Sequence, residues 1–166
     1  HKKDKGDFRR ALDHFLRAAL SSKHARLLYH AEILHVFFHL KDDEEMAKCC
    51  AHATDAVWPG SPAALRHISR MLTTIDPPAA IPYARRALRM DPDNRESHLA
   101  MSAALIEAKQ TKAAIEILER AIAAYPKDAA LHADLGLALK NDAQFERALE
   151  HSTICLLYTS DAADDT

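Results

Sequence analysis

The sequence predicts an all-α chain in which antiparallel helix hairpins stack side by side, an architecture called an α-solenoid. The first observation is a repeat: Pro92 and Pro126 lie 34 residues apart, and Ala114 and Ala148 are separated by the same step. The second is composition, because the 166 residues include only 3 Gly, whereas Ala, Leu, Arg and Glu are plentiful. A period of this length in helix-forming sequence is typical of stacked helical hairpins.

Composition also argues against several classes of protein. The net charge of −2 gives no electrostatic reason to expect binding to nucleic acid or to an anionic membrane. No stretch approaches the roughly 18 apolar residues that a membrane-spanning helix needs. The three cysteines, with Cys49 and Cys50 adjacent, form neither a disulfide framework nor a metal-ligand spacing. They favour a reducing compartment such as the cytoplasm, and the start at His1 suggests a fragment of a longer protein.

The N-terminal third is predicted to contain three helices. Apolar residues recur at spacings of three and four over residues 8–19, which indicates one stripe of a helix. Residues 25–40 are apolar around most of a helical circumference and predict a helix buried on more than one side. Residues 42–57 begin with an acidic first turn, which suits the positive end of a helix dipole, and residues 58–62 break that helix.

The middle of the chain is divided by prolines. Residues 63–73 predict a short helix, and Asp76-Pro77-Pro78 predicts the next break. Proline costs about 3 kcal/mol in a helix interior but little in the first turn. We therefore predict that the following helix begins near Ala79, with Pro82 in its first turn. It should end at Asp91, because the residue before a proline avoids the helical conformation.

The C-terminal part predicts two further hairpins. Residues 95–108 should pair with 111–124, and residues 129–140 with 145–157, with Thr111 and Asn141-Asp142 supplying turn and cap chemistry. Small residues recur where neighbouring helix backbones should approach closely, and a large side chain there would cost roughly 1–3 kcal/mol. These positions are Ser102, Ala114, Ala121, Gly136 and Ala148.

The motif His132-x-x-Leu135-Gly136-x-x-Leu139, followed by Ala148, resembles the tetratricopeptide repeat signature, with Pro126 closing the unit before it. The resemblance covers residues 1–154, as a half repeat over 1–24 and repeats over about 25–60, 61–94, 95–128 and 129–154. Two departures exist: His stands in place of the usual Trp at positions 98 and 132, and residues 25–75 match poorly. The repeat register within 25–60 therefore stays open.

The resemblance implies a right-handed superhelix whose first helix in each pair lines an inner groove. Such arrays usually bind peptides or partner proteins there, without a cofactor and without catalysis of their own. Carried onto this chain, the groove would be lined by Leu65, Ser69, Leu72, Leu99, Ala103, Ile106, Ala133, Leu137 and Lys140.

The residues themselves support this groove in part. Leu99, Ala103 and Ile106 follow one helical stripe, and Met101 and Leu105 lie on another. A helix with two apolar stripes needs two covers, and we expect these to be the neighbouring helix and a ligand. The alternative is that small groove residues merely touch one another.

Three functions are compatible with these patterns. The main hypothesis is a protein–protein interaction scaffold that receives an apolar or mixed peptide. The second is a recognition or regulatory arm of a larger enzyme, such as a transferase, whose catalytic domain lies outside this sequence. The third is a metal-dependent enzyme, since His35 and His39 lie four residues apart on one predicted helix. No third ligand is evident beside them, so packing is the simpler account of these histidines.

Other reactive or charged residues have structural explanations. Cys49 and Cys50 point in different directions from a helix and are expected to be small apolar fillers rather than a redox pair. Arg85-Arg86 is expected to be solvated surface. Residues 155–166 resemble the conceptual translation of a sequencing-library adapter, and we expect them to be a non-native tail without function.

Overall fold

The computed structural model describes residues 44–164 and the isolated positions 10, 13, 14 and 17, which are helical. Residues 44–164 form seven helices and no strand, which confirms the all-α prediction for this part of the chain. The helices are α1 (Glu44–Val57), α2 (Pro62–Thr73), α3 (Pro77–Met90), α4 (Arg95–Glu107), α5 (Thr111–Ala124), α6 (Ala129–Asn141) and α7 (Phe145–Asp164). The helix predicted over residues 25–40 lies outside the described residues.

The helices pack as a stack of hairpins. Helix α2 pairs with α3, α4 with α5, and α6 with α7, while the first helices of successive hairpins also touch, α2 against α4 and α4 against α6. The buried core is continuous from Ala47 on α1 to Ala148 on α7. Because each hairpin contacts mainly its neighbours, the burial of one unit depends on the next.

The 34-residue step is visible in the packing. Ala114 and Ala148 are the fourth residues of α5 and α7, and their side chains are 0% and 7% exposed. A Cβ atom added at Gly136 would lie 2.9 Å from Ser152 Oγ and 3.3 Å from the Ala148 carbonyl oxygen. The predicted close approach of α6 and α7 at this position is therefore confirmed.

Helix α3 corrects one prediction. It begins at Pro77 rather than near Ala79, so Pro82 lies inside the helix and not in its first turn. The Asp76 side chain caps the helix by accepting a hydrogen bond from the Ala79 backbone N–H at 3.2 Å. Pro77 and Pro78 fit the first two positions because the N–H groups there have no intrahelical partner.

The turns inside the last two hairpins share one geometry. Lys109 and Ala143, one period apart, both have a φ of 60°, the left-handed conformation that usually favours Gly. The next residues, Gln110 and Gln144, each donate a backbone hydrogen bond of 2.9 Å back to the preceding helix. Gln110 rather than Thr111 occupies the N-cap of α5, and its side chain makes no cap bond.

The last helix is longer than predicted. Helix α7 continues to Asp164, whereas the sequence predicted an end at Leu157. The helix thus includes most of residues 155–166, whose non-native origin stays a prediction. Among the helices described, none combines the length and the apolar character that crossing a membrane requires.

Candidate peptide-binding groove

The three groove residues predicted on α2 are buried. Leu65 and Ser69 are 0% exposed and Leu72 is 1% exposed. They contribute to the core and offer no accessible surface to a ligand in this structure.

The groove residues on α4 and α6 are progressively more accessible. On α4, Leu99 and Ala103 are half-buried, whereas Ile106 is only 6% exposed. On α6, Ala133 is exposed and the side chain of Leu137 is 42% exposed. Such exposure of a large apolar side chain indicates that no neighbouring helix covers it. The accessible part of the groove therefore lies towards α6.

A cavity of about 430 Å³ brings together three of the predicted residues, Ala133, Leu137 and Lys140. Its other wall comes from α7, where Phe145 and Leu149 are 65% and 71% exposed. The floor is formed by small residues, since Gly136, Ala148 and Ser152 also line it. The result is an open apolar recess with one cation, Lys140, in its lining.

Helices α4 and α6 are joined by a polar contact that sequence reasoning missed. The Ser102 hydroxyl lies 2.9 Å from Asp134 Oδ2 and 3.0 Å from the Leu99 carbonyl oxygen, so it can donate to either acceptor. Burial raises the pKa of Asp134, and the Ser102 hydrogen bond opposes that rise. The repeat period does not pair these two residues, because they lie 32 positions apart and not 34.

A second contact fixes the starts of the same two helices. Arg95 on α4 bonds to both carboxylate oxygens of Asp128, with Nη2 3.1 Å from Oδ1. Asp128 Oδ1 also caps α6 by accepting the backbone N–H groups of Ala130 and Leu131 at 3.0 and 3.1 Å. Burial alone would raise the pKa of Asp128, but Arg95 and these N–H groups hold it below its ordinary value. This network sets the spacing of α4 and α6.

The histidines at the repeat position usually held by Trp share one hydrogen bond. His98 Nε2 lies 2.8 Å from the Pro92 carbonyl oxygen, and His132 Nε2 lies 2.9 Å from that of Pro126. A carbonyl can only accept, so each Nε2 carries the proton. The same bond thus recurs one period apart.

A metal centre finds no support in the part of the chain that is described. His35 and His39 lie outside it. Over the described residues, no group of three or more His, Cys, Asp and Glu side chains is arranged to hold a metal ion.

Comparison with known families identifies the repeat. Residues 76–138 match the family model described as tetratricopeptide repeat. This segment consists of tetratricopeptide repeats. It runs from the N-cap of α3 into α6 and includes most of the groove residues that remain accessible.

Solved structures extend the tetratricopeptide fold beyond that segment. A crystal structure of MamA aligns with a TM-score of 0.69 at 16% identity, covering 98% of this chain and 95% of that one. A second MamA structure gives 0.68 at 18% identity, covering 98% and 88%. The structure of MamA from residue 41 to its end, from Desulfovibrio magneticus RS-1, gives 0.62 at 24% identity, covering 78% and 73%. At these identities the likeness shows the fold, and no curated protein sequence matches the chain significantly.

Proposed function

We propose that this chain is a protein-interaction scaffold that binds a peptide or a segment of a partner protein along α4 and α6, with no catalysis of its own. The tetratricopeptide fold is typical of interaction scaffolds, which supports the general role. The observation that carries the finer assignment is the apolar recess around Leu137, where three predicted groove residues meet.

The recess suggests what the peptide should look like. Ala133 and Leu137 would cover one apolar side chain, and half-buried Leu99 and Ala103 would extend that contact towards α4. Lys140 would pair with a carboxylate near this apolar side chain, because its ammonium group has no hydrogen-bond or ion-pair partner among the described residues. A mixed apolar and acidic peptide fits these groups best.

The experiment uses a peptide selected against the whole chain from a random display library. We expect the double substitution Leu99→Glu with Leu137→Glu to weaken its binding at least about tenfold, since carboxylates would face an apolar surface. Affinity is measured by fluorescence anisotropy, and circular dichroism checks that the variant stays helical. Leu137→Glu alone repeats the test at the more exposed position.

Met90→Glu is the matched control. Met90 is 49% exposed, close to the 42% of Leu137, but lies at the end of α3 outside the groove. Its replacement should leave the affinity unchanged. If the groove variants bind the peptide as tightly as the unmodified chain does, the groove assignment is wrong.

A further inference from the structure

A second cavity, of about 490 Å³, lies on α3 and shares no residue with the groove. Three arginines line it, Arg85, Arg86 and Arg89, and Gln110 reaches it from the turn between α4 and α5. No carboxylate is among its lining residues. The cavity therefore favours an anion.

The three arginines are not equivalent. Arg86 Nη1 donates to Asp55 Oδ2 at 2.7 Å, and this bond raises the pKa of Arg86. Arg85 and Arg89 are exposed and form no hydrogen bond or ion pair with any described residue. All other arginines in α1–α7 have a partner in the chain, and these are Arg66, Arg70, Arg95, Arg120 and Arg147. The two arginines of α1–α7 that have no partner thus line the same cavity.

Their spacing suits a shared anionic group. Arg85 and Arg89 lie four residues apart on α3, so their side chains are neighbours on one helix face. Each guanidinium presents parallel N–H donors that match the oxygens of a phosphate. Two such groups can contact one phosphate from adjacent sides.

The remaining lining is apolar and adjacent to these charges. Ile81 is 6% exposed, and the rigid rings of Pro78 and Pro82 flank it along the helix. The volume falls within the range of roughly 300–1,000 Å³ that small-molecule sites occupy, and a bare phosphate would leave most of it empty. A ligand that uses both parts needs an apolar group within a few bonds of its anionic head.

We propose that this cavity binds a phosphate monoester attached to an aromatic ring, the chemistry of a phosphotyrosine side chain on a partner protein. The phosphate lies between Arg85 and Arg89, and the ring covers Ile81 and the two prolines. A phosphoserine side chain fits less well, because a single methylene separates its phosphate from the backbone. The site is independent of the peptide groove, and either assignment can fail without the other.

The first experiment titrates the whole chain with phenyl phosphate and, separately, with inorganic phosphate, followed by isothermal titration calorimetry. We expect saturable binding of phenyl phosphate, and binding of inorganic phosphate at least about threefold weaker, because only the ring removes apolar surface from water. Raising the salt concentration should weaken both. Absence of saturation by phenyl phosphate, or equal affinity for the two probes, would overturn the proposal.

Variants locate the site. Replacing both exposed arginines (Arg85→Gln with Arg89→Gln) should weaken phenyl phosphate binding at least about tenfold, because the charge-assisted bonds are lost. Arg120→Gln is the control, since Arg120 is exposed on α5 outside the cavity. Equal loss in the control, or no loss in the double variant, would contradict the assignment.

A last comparison uses two peptides of the same sequence that carry phosphotyrosine or phosphoserine. Tighter binding of the phosphotyrosine peptide, lost in the double variant, supports the proposal. Preference for phosphoserine would show that the aromatic part of the assignment is wrong.

Discussion

The hairpins α4–α5 and α6–α7 share a sequence pattern but differ in what covers them. Ile115 on α5 is 7% exposed, whereas Leu149, one period later on α7, is 71% exposed. Helix α6 packs against both α4 and α5, but among the described helices α7 contacts only α6. Burial of this position is therefore decided by the following hairpin, not by the hairpin that carries it.

The two hairpins also differ in the polarity of side chains at equivalent positions. Ile106 and Leu118, which are 6% and 0% exposed, correspond one period later to Lys140 and Ser152. Both later residues are exposed and line the recess on α6 and α7. The later hairpin thus has polar side chains at positions that are apolar and buried in the earlier one.

Truncating Ile115 and its equivalent Leu149 to alanine should give the largest difference in stability between the two hairpins. Ile115→Ala should lower the free energy of unfolding by about 2–5 kcal/mol, because it removes buried atoms and leaves a cavity. Leu149→Ala should change it by less than about 0.5 kcal/mol, as exposed substitutions usually do. Urea unfolding followed by circular dichroism measures both, and equal losses would show that the two positions are covered alike.

Disturbing the close contact between α6 and α7 should give the second-largest loss of stability. Gly136→Ala should cost about 1–3 kcal/mol, because the new methyl group would meet Ser152 Oγ at 2.9 Å. In a Ser152→Ala background the same change should cost less, since that oxygen is gone. A double-mutant cycle measures the coupling, and strict additivity of the two changes would refute the close contact.

Protonation should affect the later hairpin more than the earlier one. His132 Nδ1 lies 2.9 Å from His151 Nδ1, and since His132 Nε2 carries its proton, His151 must be the donor. The position equivalent to His151 in the earlier hairpin is Ile117. Burial lowers the pKa of His151, and the charges of His132 and Arg147 lower it further against the opposing effects of Glu150 and Glu119.

The lowered pKa of His151 determines how stability changes with pH. A histidine with a lowered pKa in the folded state takes up more protons when unfolded, so stability falls as the pH drops below about 6.5 and through the folded value. The melting temperature should fall between pH 7.5 and pH 5.5, and His151→Ile should make that fall smaller. An unchanged pH dependence in this variant would show that His151 does not cause the loss of stability at low pH.

The smallest change in stability is expected for substitutions in the turns at Lys109 and Ala143, and it should be similar in both hairpins. Lys109→Gly and Ala143→Gly should each stabilise the chain by roughly 0.5–1 kcal/mol, because both positions have a φ of 60°. Thermal unfolding measures both. Destabilisation by either change would mean that the turn is not left-handed in solution.

The period predicted most of the fold because stacking follows local rules. Ala114 and Ala148 were identified from a step of 34 residues. Proline chemistry predicted breaks at 58–62 and from Asp91, and the structure has them at 58–61 and 91–94. The start of α3 was misplaced because Pro77 and Pro78 are as acceptable at a helix start as they are in a turn.

The site was less predictable because it depends on contacts between helices. Leu65 has a groove position in the repeat, yet its exposure is set by neighbours that periodicity does not describe. The bond between Ser102 and Asp134 joins residues 32 positions apart. Similarly, adjacent Arg85 and Arg86 are indistinguishable in sequence, and only the position of Asp55 separates the paired arginine from the one without a partner.

Crosslinking can test whether a partner peptide binds the exposed face of α4 and α6. The most direct measurement places the photoreactive residue p-benzoylphenylalanine at Leu137 in one variant and at Met90 in another, and crosslinks each to the display-selected peptide. We expect a strong crosslink from Leu137 and none from Met90. A crosslink from Met90 alone, or equal crosslinks from both, would contradict it.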